Sequence, residues 1–210
     1  MSEKKLRIIM ALVGVILTGV CVGIFQTVLL GADPFTCFVT GIANIFNSTY
    51  STWYVIIIGL LLVVVFILQR RYIGIATIIN LFGIGFMADF THWIMSNLIV
   101  NPSMTFRLIL LIVNIIILSA AASLYFTADL GVSAYDAIAL MAANDYKVAA
   151  FRVCRITTDL ICVIVGWIYA ADIGLGTVIT AFMMGPIIQW FNENVSEPLL
   201  NSKRRTRQLR

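Results

Sequence analysis

Charged side chains make up only 11% of the 210 residues, against roughly 25% in an ordinary soluble domain. So few charges cannot cover a water-facing surface, and a soluble globular protein is excluded. Histidine occurs once, and the four cysteines, Cys21, Cys37, Cys154 and Cys162, form no CxxC pair. They lie mostly in apolar runs and read as small packing residues without a disulfide framework. HExxH, G-x-S-x-G and Walker A patterns are missing too. Metalloprotease, hydrolase, dithiol and P-loop mechanisms therefore have no support, and no enzyme activity, cofactor or metal site is expected.

What is there is apolar. Hydrophobic residues make up 61% of the chain, and uncharged stretches run over residues 8–30, 51–69, 72–88, 108–128, 160–171 and 173–190. These lengths are near or somewhat below the roughly 20 residues that cross a bilayer as a helix. The expectation is an all-α polytopic protein with at least six spans, its main partner the lipid bilayer. The first stretch exceeds the 7–15 apolar residues of a secretory signal, and no small-x-small site follows Leu30, so it reads as a span. The formal charge of +4 comes from cations at the ends of apolar stretches and in the tail Lys203-Arg204-Arg205-Thr206-Arg207. That distribution fits the positive-inside pattern or contact with anionic lipid, and no nucleic-acid partner is expected.

The sequence also resembles itself at an interval of 100 residues. Leu30-Gly31 matches Leu130-Gly131, and Ile73-Gly74 matches Ile173-Gly174. Thr77, Ile79, Phe82 and Gly85 match Thr177, Ile179, Phe182 and Gly185. The period is longer than that of solenoids, and the apolar setting points to duplicated membrane transporters. The chain divides into repeats at 1–100 and 101–198 and a basic tail at 199–210.

Each repeat is broken after its first span. In Gly31-Ala32-Asp33-Pro34 the glycine suits the left-handed residue that ends a helix, Asp33 an N-cap and Pro34 a first helical turn. Gly131-Val132-Ser133-Ala134-Tyr135-Asp136 repeats the device with a Ser-x-x-Asp variant of the capping box. The helices that start there, over 34–47 and 134–145, are too short for the ~30 Å hydrocarbon core and read as re-entrant or interfacial. Three spans per repeat make the repeats inverted; four, in an eight-span chain, make them parallel. Charge contrasts favour inversion: the basic Arg70-Arg71 faces Ala170-Ala171, Lys147, Arg152 and Arg155 face an uncharged segment, and the basic tail faces uncharged 97–103. Arg107, equivalent to Arg7, is the exception. Both arrangements put the two termini in the cytoplasm.

The motif Leu-Gly-Ala-Asp-Pro-Phe, the basic hairpin before Ile73-Gly74-Ile75-Ala76-Thr77, and Gly85 with Asp89 resemble the bacterial YczE/YitT-type membrane family. So do Leu-Gly-Val-Ser-Ala-Tyr-Asp, Arg152-Val-Cys-Arg155 with Asp159, Gly166-Trp167, and Ile173-Gly174-Leu175-Gly176-Thr177 ending at Gly185-Pro186. The resemblance covers nearly the whole chain and is nearest to the YczE branch. It implies a bacterial cell-membrane protein and supplies no reaction.

Ionisable groups within spans are costly, so each is a functional candidate. Arg155 and Asp159 stand one helical turn apart; they form either a structural ion pair or a site where Arg155 holds an anionic group and Asp159 relays a proton. Asp89 and His92 share a helical face and are read as a proton-coupling pair or as interfacial anchoring beside Trp93. Asp33, Ser133 and Asp136 either cap helix starts or flank two half-helix amino termini that aim their positive dipole ends at an anionic ligand. Gly74, Gly174, Gly176, Gly85 and Gly185 read as close-packing positions. The leading functional expectation is a small-molecule transporter with its site between the repeats. The alternatives are a membrane scaffold or accessory subunit of a partner enzyme or transport complex, and a substrate-binding subunit energised by a separate module.

Overall fold

A computed structural model describes residues 3–99 and 102–201. The basic tail from 202 onward, including Lys203 to Arg207, lies outside the described residues. Eight helices follow in order: α1 (Glu3–Val28), α2 (Pro34–Ile45), α3 (Tyr50–Leu68), α4 (Ile75–Leu98), α5 (Met104–Ala128), α6 (Ala134–Leu140), α7 (Phe151–Ile168) and α8 (Leu175–Phe191). No strand occurs among the described residues. A wider π-helical turn continues α6 over Met141–Asp145, and another continues α8 over Asn192–Ser196.

The six apolar stretches fall mostly in helices, and among the described residues only α1, α3, α4 and α5 are long and apolar enough by themselves to cross a membrane. Helices α7 and α8 fall short of that measure by themselves, and the two shortest apolar stretches need flanking residues to cross. Helix α7 has 18 residues and includes Arg152, Arg155 and Asp159, while α8 has 17 before its geometry widens. Helix α2, at 12 residues, reaches roughly 18 Å, short of the ~30 Å hydrocarbon thickness.

The polarity of the molecule is that of a protein in lipid. Large apolar side chains such as Ile67, Phe86 and Trp167 point outward, each more than two-thirds exposed, while Asn80, Asn114, Thr77, Thr177, Ser119 and Ser123 are buried. The hydrophobic effect adds little between helices in lipid, so van der Waals packing at close backbone approach and interhelical hydrogen bonds hold the bundle together.

Helices α1 and α5 form the central pair and run antiparallel. Arg7, at the start of α1, donates to the Ala128 carbonyl at the end of α5 (2.9 Å), and Arg107, at the start of α5, donates to the Val28 carbonyl at the end of α1 (2.6 Å). Between them Asn114 Nδ2 donates to the Cys21 carbonyl. Each arginine places a cation on the unpaired carbonyls and negative dipole end of a helix. That accounts for Arg107, the exception in the charge pattern: it serves the end of α1 as Arg7 serves the end of α5.

The two breaks interlock with the opposite parts of the chain. Gly176 N donates to Leu30 O, and Ala76 N donates to Leu130 O. Thr77 and Thr177 each accept at Oγ1 from the backbone N–H of Gly74 and Gly174. The glycines are required here by space. A Cβ on Gly31 would lie 2.5 Å from Gly174 N, and one on Gly131 2.4 Å from Gly74 N. Both have positive φ, at +93° and +107°, yet neither ends a helix as the sequence suggested; Leu29 and Asp129 take the left-handed conformation just after α1 and α5. Gly74, Gly174 and Gly176 are close-packed as expected. Gly185 is not: open space surrounds it, whereas its equivalent Gly85 sits against Ser51 of α3.

Candidate functional site

The two short helices start where their capping residues dictate. Asp33 accepts from Thr36 N (3.1 Å) with Pro34 in the first turn, and Ser133 accepts from Tyr135 N (3.2 Å). The Ser-x-x-Asp capping box does not close. The Asp136 carboxylate turns instead to Arg155 of α7, whose Nη1 it binds. A guanidinium and carboxylate in apolar surroundings gain more from each other than Asp136 would from one backbone N–H.

Arg155 is thereby enclosed by two carboxylates. Its Nε lies 3.3 Å from Asp159 Oδ1, one turn along α7, and that same oxygen accepts from Tyr135 Oη at 2.6 Å. The guanidinium also stands 4.6 Å over the Tyr135 ring, a cation–π arrangement. Tyr135 stacks on Phe35, its equivalent 100 residues earlier, at 4.5 Å between ring centroids. The first turns of α2 and α6 thus meet face to face. Phe35 makes an edge contact with Tyr54 of α3, whose hydroxyl donates to Asn80 Oδ1 of α4 at 2.8 Å.

This cluster faces a cavity of about 520 Å³, within the 300–1,000 Å³ range of small-molecule sites. Asp33, Ser133, Asp136, Arg155 and Asp159 all line it. The lining follows the 100-residue correspondence: Asp33 and Ser133, Phe35 and Tyr135, Thr36 and Asp136, and Asn80 and Thr180 contribute as equivalent pairs. Among the polar contributors that escaped the sequence reading are Tyr125, Asn80, Gln189 and Asn192. The repeat held a signal for one of them, because Asn80 is the counterpart of Thr180 at an otherwise matching stretch.

Asp89 and His92 stand apart from the cavity. The Asp89 carboxylate accepts from Ser51 N at the start of α3 (3.3 Å), completing a helix end at which Thr49 makes no side-chain cap. His92 Nδ1 lies 3.2 Å from Thr27 Oγ1 of α1. In the second half Thr127 Oγ1 donates to Asn192 Oδ1 at 3.3 Å, so the same interhelical contact is made there without a titratable group.

Residues 5–193 match a family of unknown function, DUF6198. The chain belongs to this family. Similar proteins include the uncharacterised membrane protein YczE of Bacillus subtilis, 25% identical over 82% of this chain and 78% of its own length. The uncharacterised protein YyaS of the same organism is 23% identical over 84% of this chain and 87% of its own length. An uncharacterised protein of Haemophilus influenzae is 24% identical over 77% and 72%. The likeness to the YczE branch seen in the motifs therefore holds, and the DUF6198 member described here is a membrane protein. No solved structure matches it.

Proposed function

We propose that this protein is a small-molecule transporter of the bacterial cell membrane, built from two inverted repeats, with its binding site in the central cavity. One observation carries the reading: the cavity of about 520 Å³ is lined by both break segments and by the Arg155 cluster. Broken helices that meet at a polar cavity between antiparallel halves are the arrangement through which secondary transporters give alternating access. The antiparallel α1 and α5, and the reciprocal joins of each break to the far half, support inversion over a parallel eight-span arrangement.

In this reading both termini and the Arg70–Tyr72 hairpin are cytoplasmic. A reporter fused after Arg71 is expected to show cytoplasmic activity only, and periplasmic or extracellular activity there would sink the topology. Uptake by proteoliposomes of labelled amines, organic anions and amino acids tests transport itself. Saturable uptake of one class, lost in Arg155→Met, is expected. Uniform absence of uptake by folded, oriented protein overturns the proposal in favour of a non-transporting subunit.

A further inference from the structure

The cavity's charge balance is the reverse of what an isolated intramembrane arginine suggests. Among its lining residues stand one guanidinium and three carboxyl groups, Asp33, Asp136 and Asp159, with no lysine. Arg155 has both its Nη1 and its Nε committed to carboxylates. Asp33 forms no ion pair among the described residues; its carboxylate accepts from the N–H of Thr36, and Arg155 acts on it only from beyond ion-pair distance. An anion entering here would meet a guanidinium already neutralised by two carboxylates and would lie against a third, an unfavourable like-charge arrangement.

A second observation is independent of the acids. The Tyr125 hydroxyl of α5 is buried, its side chain 5% exposed, and it finds no hydrogen-bond partner among the described residues although the residue lines the cavity. A buried phenol normally has a partner, and beside the cavity a bound molecule can supply one. Aromatic side chains complete the wall: Phe35, Tyr50, Tyr54 and Tyr125 line it together with Tyr135, which is already engaged by Phe35 and Arg155. Such faces attract cations as Tyr135 already attracts Arg155.

Resting on the reading of this cavity as a transport site, we propose that its substrate class is a monovalent organic cation: an ammonium compound with an apolar body, its charge held by Asp33 and the aromatic wall. The volume suits a molecule of several heavy-atom groups better than an inorganic ion.

Calorimetry on the purified, folded protein in lipid nanodiscs tests this with benzyltrimethylammonium and with phenylmethanesulfonate, a similar shape of opposite charge. The ammonium is expected to bind saturably, and the sulfonate at least about 10-fold more weakly. Asp33→Asn keeps a good N-cap and so the start of α2, and it is expected to weaken ammonium binding about 10-fold. Tyr125→Phe, which removes only the hydroxyl, is expected to weaken a hydroxyl-bearing analogue, choline, by roughly 3- to 10-fold and benzyltrimethylammonium hardly at all. Asp129→Asn, at an exposed carboxylate outside the cavity, serves as the unchanged control. Preference for the sulfonate, indifference to Asp33→Asn, or no binding of either probe overturns the cation assignment. Sulfonate binding would leave the transport reading standing, whereas ammonium binding without proteoliposome uptake would defeat the transport reading and keep the cation site.

Discussion

The two breaks are the same device in backbone and different devices in charge. After α1 and after α5 the chain turns through a left-handed residue and a positive-φ glycine, then starts a short helix behind a side-chain cap. Each break locks onto a Gly-x-x-Thr start of a helix in the opposite half. The side chains diverge from there. In the first half Asp33 caps α2 and forms no ion pair among the described residues, and the positions equivalent to Asp136, Arg155 and Asp159 are Thr36, Val55 and Gly59. In the second half a neutral Ser133 does the capping, which frees Asp136 for Arg155. Both breaks contribute to the lining of the cavity, and the second half alone supplies the ion cluster within it.

The most severe way to break this comparison is to remove the cation from the half that has one. Arg155→Ala leaves Asp136 and Asp159 in apolar surroundings without a counter-charge, a loss of about 3–5 kcal/mol for a buried ion pair deprived of one member. The equivalent change in the first half, Val55→Ala, removes only two methyl groups from a half-buried side chain and is expected to cost about 1 kcal/mol. Thermal unfolding of the two variants in detergent measures the difference. Equal losses would show that the ion cluster is not what distinguishes the halves.

Smaller, and symmetrical, is the effect of filling the space at the interlocked breaks. Gly31→Ala and Gly131→Ala each force a Cβ to within 2.5 Å of a backbone nitrogen in the far half, at a φ that disfavours any side chain. Overpacking of this kind costs about 1–3 kcal/mol. The two variants are expected to lose similar melting temperature in the same assay. If one is tolerated and the other is not, the breaks are unequal in packing as well as in charge.

Much of this was legible in the chain before its shape was known, and the reason lies in sequence distance. Helix starts at Pro34 and Ala134, the glycine approaches at 74 and 174, and the Arg155–Asp159 pair depend on residues within about a turn of each other or on the repeat itself. What escaped depends on partners that meet only in the folded bundle. Asp136 looks like the far end of a capping box because Ser133 is three residues away, but Arg155, 19 residues on, wins its carboxylate. Tyr125 looks like any aromatic in an apolar helix until its hydroxyl is seen to lack a partner beside a cavity. Gly185 matches Gly85 in the repeat and not in its surroundings, because α8 borders the cavity at the point where α4 packs on α3.

The mildest test makes the halves alike at a position where they differ in titratable chemistry. His92 and Asn192 occupy equivalent places and take equivalent contacts from Thr27 and Thr127. His92→Asn therefore installs the second half's own solution in the first. An amide can satisfy the threonine hydroxyl as the imidazole does, so stability is expected to stay within about 0.5 kcal/mol. The pH dependence of any proteoliposome uptake is expected to keep its midpoint, because His92 lies outside the cavity and its neighbour Asp89 is engaged with Ser51 N at the start of α3. An uptake profile that lost its pH inflection on this substitution would identify the Asp89–His92 pair as the proton-coupling site. The difference between the halves would then extend from the ion cluster of α6 and α7 to the far end of α4.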